Sequence, residues 1–579
     1  MLTSVPPAGD PGAPQLDWQA PPPGGTRARL WRWSKFWAVA VAFVVAIGTI
    51  SAVRAVSAGA AVPCAAGTTV RTAGGLVCGF EAGGARQWRG IPYAAPPVGQ
   101  LRWQAPQPHA RWHKTLNATA YAARCIQPWP DQDGGPAKGT SENCLYLNIW
   151  APRAASLSAS LPVLVHIHGG GFFTGSGNGD YSVLAARGHV VVVSVNYRLG
   201  IFGFLANSAL GPHAGDYGLE DQQAALRWVH ANIAAFGGNP ASVTIFGESA
   251  GGSSVCDQLA SPTARGLFGG AITESGQYNT LLGTPAPSRA PNEDIETQDC
   301  KSALPSQARA DRAGARFAAV VGCGPGTASV ARCLRHVPAA RLTRASDSPG
   351  DGYQFGGAGT IAPTINGSTL TVTLRTALAT GKLSRVPVMA GTGRDEDLSG
   401  WPGTRARYQQ LVGMEYGSWA PQVLARYPLA HYGSAQIAFR TLAADSDTIC
   451  PALAMDAAMA RWMPVYAYEI DDADLPPYTA PRVPDTPGGA AHVGGWFLGT
   501  VRPGLDADQQ ALQNQEIAEV AAFARYRNPS ARGTLPWPEF GQSRAEMSMQ
   551  AAGDSEMMPV SALATVHNCA FWDRITPRP

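Results

Sequence analysis

The stretch Val243-Thr-Ile-Phe-Gly-Glu-Ser-Ala-Gly251 constrains this chain more than any other. Val243–Phe246 is a short β-branched and aromatic run, as expected of a strand buried on both faces. It leads directly into Gly247-x-Ser249-x-Gly251, and Ala250-Gly-Gly-Ser-Ser-Val255 then opens a small-residue helix. A serine held at the apex of so sharp a strand-to-helix turn needs positions without side chains two residues to either side. Five residues alone match by chance in many chains. The strand before and the helix after make this match specific, and they set Ser249 at a helix N-terminus, where the backbone favours negative charge.

The neighbouring segments repeat the alternation. Val163-Leu-Val-His-Ile167 is an apolar run that ends in glycines, and Val190 to Val195 is nearly continuous valine. Leu219 to Phe236 has Leu226, Val229 and Ile233 on one helical face, and Gly237-Gly238 stops it. Further strands are expected at Val386 to Ala390 and at Val465 to Glu469. Strand–helix–strand order with β-branched runs predicts an α/β fold: a large, mostly parallel central sheet flanked by helices. About Asn279 to Ala358 is rich in Ala, Arg, Gly and Pro with weak periodicity, and reads as inserted helices and loops. Hydrophobic residues at 45% against 15% charged ones fit a globular chain. A formal net charge of +3 implies no electrostatic footprint for nucleic acid.

The N-terminal part differs. Residues 1–35 form a Pro-, Gly- and Ala-rich tail, expected to be disordered, that ends in a basic flank of Arg27, Arg29, Arg32 and Lys35 with Trp31 and Trp33. Residues 36–53 carry no charge over 18 positions. As a helix this run would be roughly 27 Å long, enough to cross a bilayer core. Cations before the span predict a cytoplasmic N-terminus and an exported remainder, membrane-anchored or, if the segment is cleaved, secreted. Ala58-Gly59-Ala60 resembles a signal-peptidase site, but the long preceding region and Arg54 favour a retained anchor. Residues 54–62 read as a linker and 63–579 as one large domain. Ten cysteines agree with export, and none forms a Cys-x-x-Cys knuckle of the zinc-binding kind.

A serine nucleophile requires a base, and the base an orienting acid, in the chain order serine, acid, histidine. His336 lies in a helical-looking insert, His431 follows a helix end, and His567 stands beside Cys569. His492 lies in a glycine-rich loop after the strand at 465–469, where α/β sheets present catalytic side chains, and is the expected base. For the acid, Asp395, Glu396 and Asp397 are equally placed by spacing after the strand at 386–390. His168-Gly169-Gly170-Gly171 can turn backbone N–H groups into a cavity, where with the N–H of Ala250 they would bind an oxyanion.

These residues resemble the type-B carboxylesterase family, which includes the cholinesterases and bacterial para-nitrobenzyl esterases. Besides the serine motif, the resemblance rests on Arg89-Gly-Ile-Pro-Tyr-Ala-Ala-Pro-Pro-Val-Gly99, Ser141-Glu-Asn-Cys-Leu-Tyr-Leu-Asn148, Asn196-Tyr-Arg-Leu-Gly200 and the run from Gly218 to Gly252, and it covers nearly all of 63–579. It implies the α/β-hydrolase fold and ester hydrolysis through an acyl-enzyme, with a small-molecule ester as substrate and no metal or organic cofactor. It implies Ser249, Glu396 and His492 as the triad, and Gly170, Gly171 and Ala250 as oxyanion donors. Glu248 becomes a supporting group behind the serine. It further implies disulfides Cys125–Cys144 and Cys323–Cys333, and ion pairs of Arg102 with Glu142 and Arg198 with Asp221. Cys64–Cys78 and Cys450–Cys569 are expected beside them, with Cys256 a buried free thiol and Cys300 left unassigned. The chain departs from the family after His492, where Val-Gly-Gly-Trp-Phe replaces a longer polar stretch containing an acid. Two other readings are weighed: an inactive binding or adhesion module, and a hydrolase of amides, carbamates or polyesters. The first would have lost a triad member, and all three are present.

Overall fold

A computed structural model describes residues 63–127, 137–276, 304–346, 363–394, 396, 403–471 and 505–575. The chain divides into two units, residues 1–60 and 61–579, and every described residue lies in the second. The expected tail at 1–35, the apolar segment at 36–53 and the linker at 54–62 therefore fall outside the described residues.

Among the described residues the main sheet has eleven strands. In chain order they are β1 (Phe80–Ala82), β2 (Ala85–Pro92), β3 (Tyr146–Pro152), β4 (Leu161–Ile167), β5 (Val191–Val195), β6 (Gly238–Glu248), β7 (Gly270–Glu274), β8 (Val388–Gly393), β9 (Val465–Ile470), β10 (Ala545–Met549) and β11 (Glu556–Pro559). Their spatial order is 11-10-9-8-7-6-4-5-3-2-1. All pairs from β5 through β4, β6, β7, β8 and β9 to β10 are parallel. The pairs at both margins are antiparallel. The expected mostly parallel sheet is therefore present, with antiparallel edges that hydrophobic runs alone did not reveal.

Strand alternation sends successive side chains to opposite faces. Val163, Val165 and Val193 join one core cluster, with Leu226 and Val229 of α1 (Tyr217–Asn232) and Val255 and Leu259 of α2 (Ala250–Ala260). Leu164, Val192, Phe246 and Met389 face the other way, onto a second cluster. The later helices include α3 (Ala420–Arg426), α4 (Leu429–Tyr432), α5 (Cys450–Met459), α6 (Ala507–Tyr526), α7 (Val560–Val566) and α8 (Cys569–Ile575). Ile517, Val520 and Phe523 of α6 cover that second face. Each such side chain contributes about 1.5–3 kcal/mol on burial. The inserted region supplies helices at Gln307–Val320, Val330–His336 and Ala339–Ser346.

Four disulfides form as expected: Cys64–Cys78, Cys125–Cys144, Cys323–Cys333 and Cys450–Cys569. One expectation is corrected. Cys256 is buried in α2 but is not a free thiol, because it is disulfide-bonded. Burial alone could not distinguish a thiol from a half-cystine at that position. Cys300 lies outside the described residues.

Candidate active site

β6 ends at Glu248, α2 begins at Ala250, and Ser249 between them has φ 56° and ψ −126°. That positive φ is a strained conformation for a residue with a side chain. The surroundings account for its persistence. The Ser249 N–H donates to the carbonyl of Glu274 at 3.0 Å, and the Ser249 carbonyl accepts from Ser253 N at 2.8 Å. The two motif glycines are needed for close approach. A Cβ on Gly251 would stand 2.1 Å from the Ile167 carbonyl oxygen, and one on Gly247 would meet the Gly251 backbone at 2.5 Å.

The glycine loop after β4 packs directly on this turn. A Cβ on Gly169 would lie 2.6 Å from Glu248 Oε2 and 3.1 Å from the Ser249 Cβ. Gly170 and Gly171 follow at φ 103° and 64°. Ala250 is fully buried at the first turn of α2. The three expected oxyanion donors thus come from two segments that touch beside Ser249.

Each segment is held by its own polar contacts. Arg198 and Asp221 form a buried two-pronged ion pair, Nε to Oδ2 at 2.7 Å and Nη2 to Oδ1 at 2.8 Å. The Arg198 N–H also donates to Asp221. This anchors the segment after β5 to α1. The adjacent Tyr197 donates its hydroxyl to the His168 carbonyl at 2.7 Å and stacks on the His168 ring at 4.3 Å. Gln127, which the sequence did not single out, bonds both the N–H and the carbonyl of Gly175. Arg102 and Glu142 form the second two-pronged pair, with both contacts at 2.6 Å. Arg102 also donates to the carbonyls of Leu334, Arg335 and Val337, which ties the inserted helices to the body.

Glu396 is buried just beyond β8. Its Oε2 accepts from Ser275 Oγ at 2.7 Å and from Gly393 N at 3.2 Å. Ser275 is the functional candidate that sequence reasoning missed. It follows β7, whose Gly-Ala-Ile-Thr-Glu sequence has no long β-branched run to stand out, in Glu274-Ser275-Gly276, and has φ 46°. Glu248 is buried beside the serine, and with burial its charge pushes the Tyr197 hydroxyl up.

His492, Asp395 and Asp397 lie outside the described residues. Several of the described histidines are otherwise engaged. Burial pulls His168 down to about 4, so it is neutral, and its Nδ1 faces the Gly169 carbonyl at 2.8 Å. His166 is pulled down by burial to about 3 and meets the Tyr181 hydroxyl. His431 is exposed and His336 ends its helix. His567 is far from a solvated side chain. It is buried, with Nδ1 2.7 Å from Asp445 Oδ1 and Nε2 3.0 Å from Glu469 Oε1. Among the described residues no metal-binding cluster of His, Cys, Asp and Glu occurs.

The carboxylesterase family model matches residues 66–411. The para-nitrobenzyl esterase of Bacillus subtilis (strain 168) is 35% identical over 504 residues, covering 82% of this chain and 93% of that protein. The fumonisin B1 esterase of Sphingopyxis macrogoltabida is 32% identical over 509 residues, covering 85% and 88%. A solved para-nitrobenzyl (PNB) esterase structure superposes with a TM-score of 0.68 at 32% identity, over 86% of this chain and 99% of that one.

Proposed function

The chain belongs to the carboxylesterase family and is a carboxylic ester hydrolase of the α/β-hydrolase fold, and we propose that Ser249, His492 and Glu396 carry out its reaction through an acyl-enzyme. The observation that carries this reading is Ser249 at positive φ on the β6–α2 turn, against the Gly169–Gly171 loop. His492 takes the Ser249 proton as Oγ attacks the ester carbonyl. The N–H groups of Gly170, Gly171 and Ala250 receive the oxyanion, each worth roughly 3 kcal/mol in comparable sites. His492 then protonates the leaving alcohol, and water resolves the acyl-enzyme by the same route. Glu396, held by Ser275 and Gly393, orients the imidazole and stabilises its cation. Glu248 shapes the field behind the serine.

The test is turnover of nitrophenyl esters, acetate through palmitate, which also ranks acyl-chain length. Ser249→Ala and His492→Ala should each lower kcat by several orders of magnitude, and the double variant should be little worse than either. Glu396→Gln should be severe but milder. His431→Ala, at an exposed site, should leave turnover unchanged. Near-normal turnover in folded His492→Ala would overturn the triad. We further propose that residues 63–579 act outside the cytoplasm, tethered by 36–53. The four disulfides support the oxidising compartment.

A further inference from the structure

A cavity of about 670 Å³ opens between α3 and α4 on one side and α7 and α8 on the other. That volume is within the range of small-molecule sites. None of its lining residues belongs to the machinery around Ser249. Arg426, at the end of α3, and Arg574, in α8, are 148 positions apart, yet both place their guanidinium carbons over the Phe571 ring, at 5.5 and 6.0 Å from its centre. His431 also lines the cavity, its ring 4.9 Å from that of Tyr432. Among the described residues no carboxylate lines the wall to balance these groups.

The rest of the wall mixes the amides of Gln422 and Asn568 with the apolar surface of Ala425, Pro428, Phe571 and Val566 and the Tyr432 ring. Phe571 is buried, whereas Val566 is 61% exposed, unusual for a valine. Two forked cations on one ring suit a planar, bidentate anion. The apolar part of the wall, with Val566 open to solvent, suits a short hydrocarbon chain. A bare inorganic anion would leave that surface wet, and a neutral lipid would leave both guanidiniums unanswered.

We propose that this cavity binds an amphiphilic monocarboxylate, its head on Arg426 and Arg574 and its chain over Phe571 and Val566. This goes beyond the ester reading and does not depend on it. The test is equilibrium dialysis of labelled decanoate, below its micellar range, against the full-length chain. The wild type is compared with Arg426→Gln/Arg574→Gln in the same detergent, so that detergent uptake and any binding near Ser249 cancel in the difference. The double variant should bind one fewer decanoate per chain, or bind it at least tenfold more weakly, while its melting temperature and ester turnover stay unchanged. Val566→Asp should weaken decanoate in the same way. Decanol and acetate should each bind this site at least tenfold more weakly than decanoate. Decanoate binding equal in wild type and double variant would overturn the proposal. So would equal binding of decanol, meaning that charge is not read, or of acetate or inorganic phosphate, meaning that the chain is not.

Discussion

At the scale of single residues, the chemistry depends on side chains whose partners are distant in the chain. Ser275 reaches Glu396 across 121 positions. Ser275→Ala removes one hydrogen bond to a charged group, worth about 1.5–3 kcal/mol. If Glu396 acts as proposed, kcat should fall roughly tenfold to a hundredfold with KM nearly unchanged, and Ser275→Thr should restore part of it. Equal loss in both variants would point to disturbed packing instead. His567 shows what the sequence left unread. In the sequence it only stands beside Cys569, but in the structure it is a buried cation between Asp445 and Glu469. Burial opposes its charge, yet hydrogen bonds and charge from these two carboxylates raise its pKa to about 10. A raised folded pKa stabilises fully below the unfolded value of about 6.5 and is lost as pH rises through about 10. His567→Ala should cost about 3–5 kcal/mol by stranding two buried carboxylates. Its effect on denaturant midpoint should be large at pH 6 and shrink by pH 10.5. A pH-independent difference would rule out the charged triad.

At the scale of elements, the β6–α2 junction is where backbone geometry limits the sequence most. Gly251 has no room for a methyl group, because the Ile167 carbonyl would lie 2.1 Å from it. Gly413 sits exposed in the helix Arg405–Tyr416 with nothing within 4 Å of an added Cβ. Gly251→Ala should abolish soluble folded protein or nearly all turnover. Gly413→Ala should be neutral or stabilise by up to about 1 kcal/mol, the helix-propensity difference. Similar melting temperatures for the two would contradict the packing described. The segment Ala444–Ile449 departs from α-helical spacing into a π-helix. Asp445 within it accepts from the Tyr427 hydroxyl at 2.7 Å and meets His567. The Cys450–Cys569 bond then joins α5 to α8, so the start of α8 is fastened covalently and electrostatically at one place.

At the scale of the whole molecule, the two core clusters on opposite faces of the sheet leave its parallel strands buried, and the site lies where β4, β6, β7 and β8 end. Among the described residues no helix is long and apolar enough to cross a membrane, and the segment 36–53 lies outside them. The proposed tether is checked by fractionation. After an alkaline carbonate wash the full-length chain should stay with the membrane, and removing residues 1–60 should release it. A mature form starting near Ala61 would show that the segment is cleaved instead.

The sequence by itself determined the parts governed by short-range physics. Val163–Ile167, Val190–Val195 and Val243–Phe246 read as strands because β-branched runs buried on both faces have no polar alternation. Gly247 and Gly251 marked the turn because only close approach requires that spacing. Ser249, the glycine loop and the paired cysteines followed from the same local patterns and the family resemblance. The strands at the two margins, β1, β2 and β3 on one side and β10 and β11 on the other, were not legible, since their pairing partners, and not their own composition, hold them extended. Ser275, Gln127 and the charged state of His567 were decided by tertiary structure alone. A hydrogen bond or a shifted pKa depends on which groups folding brings within about 3 Å, and no local pattern encodes a partner dozens to more than a hundred residues away.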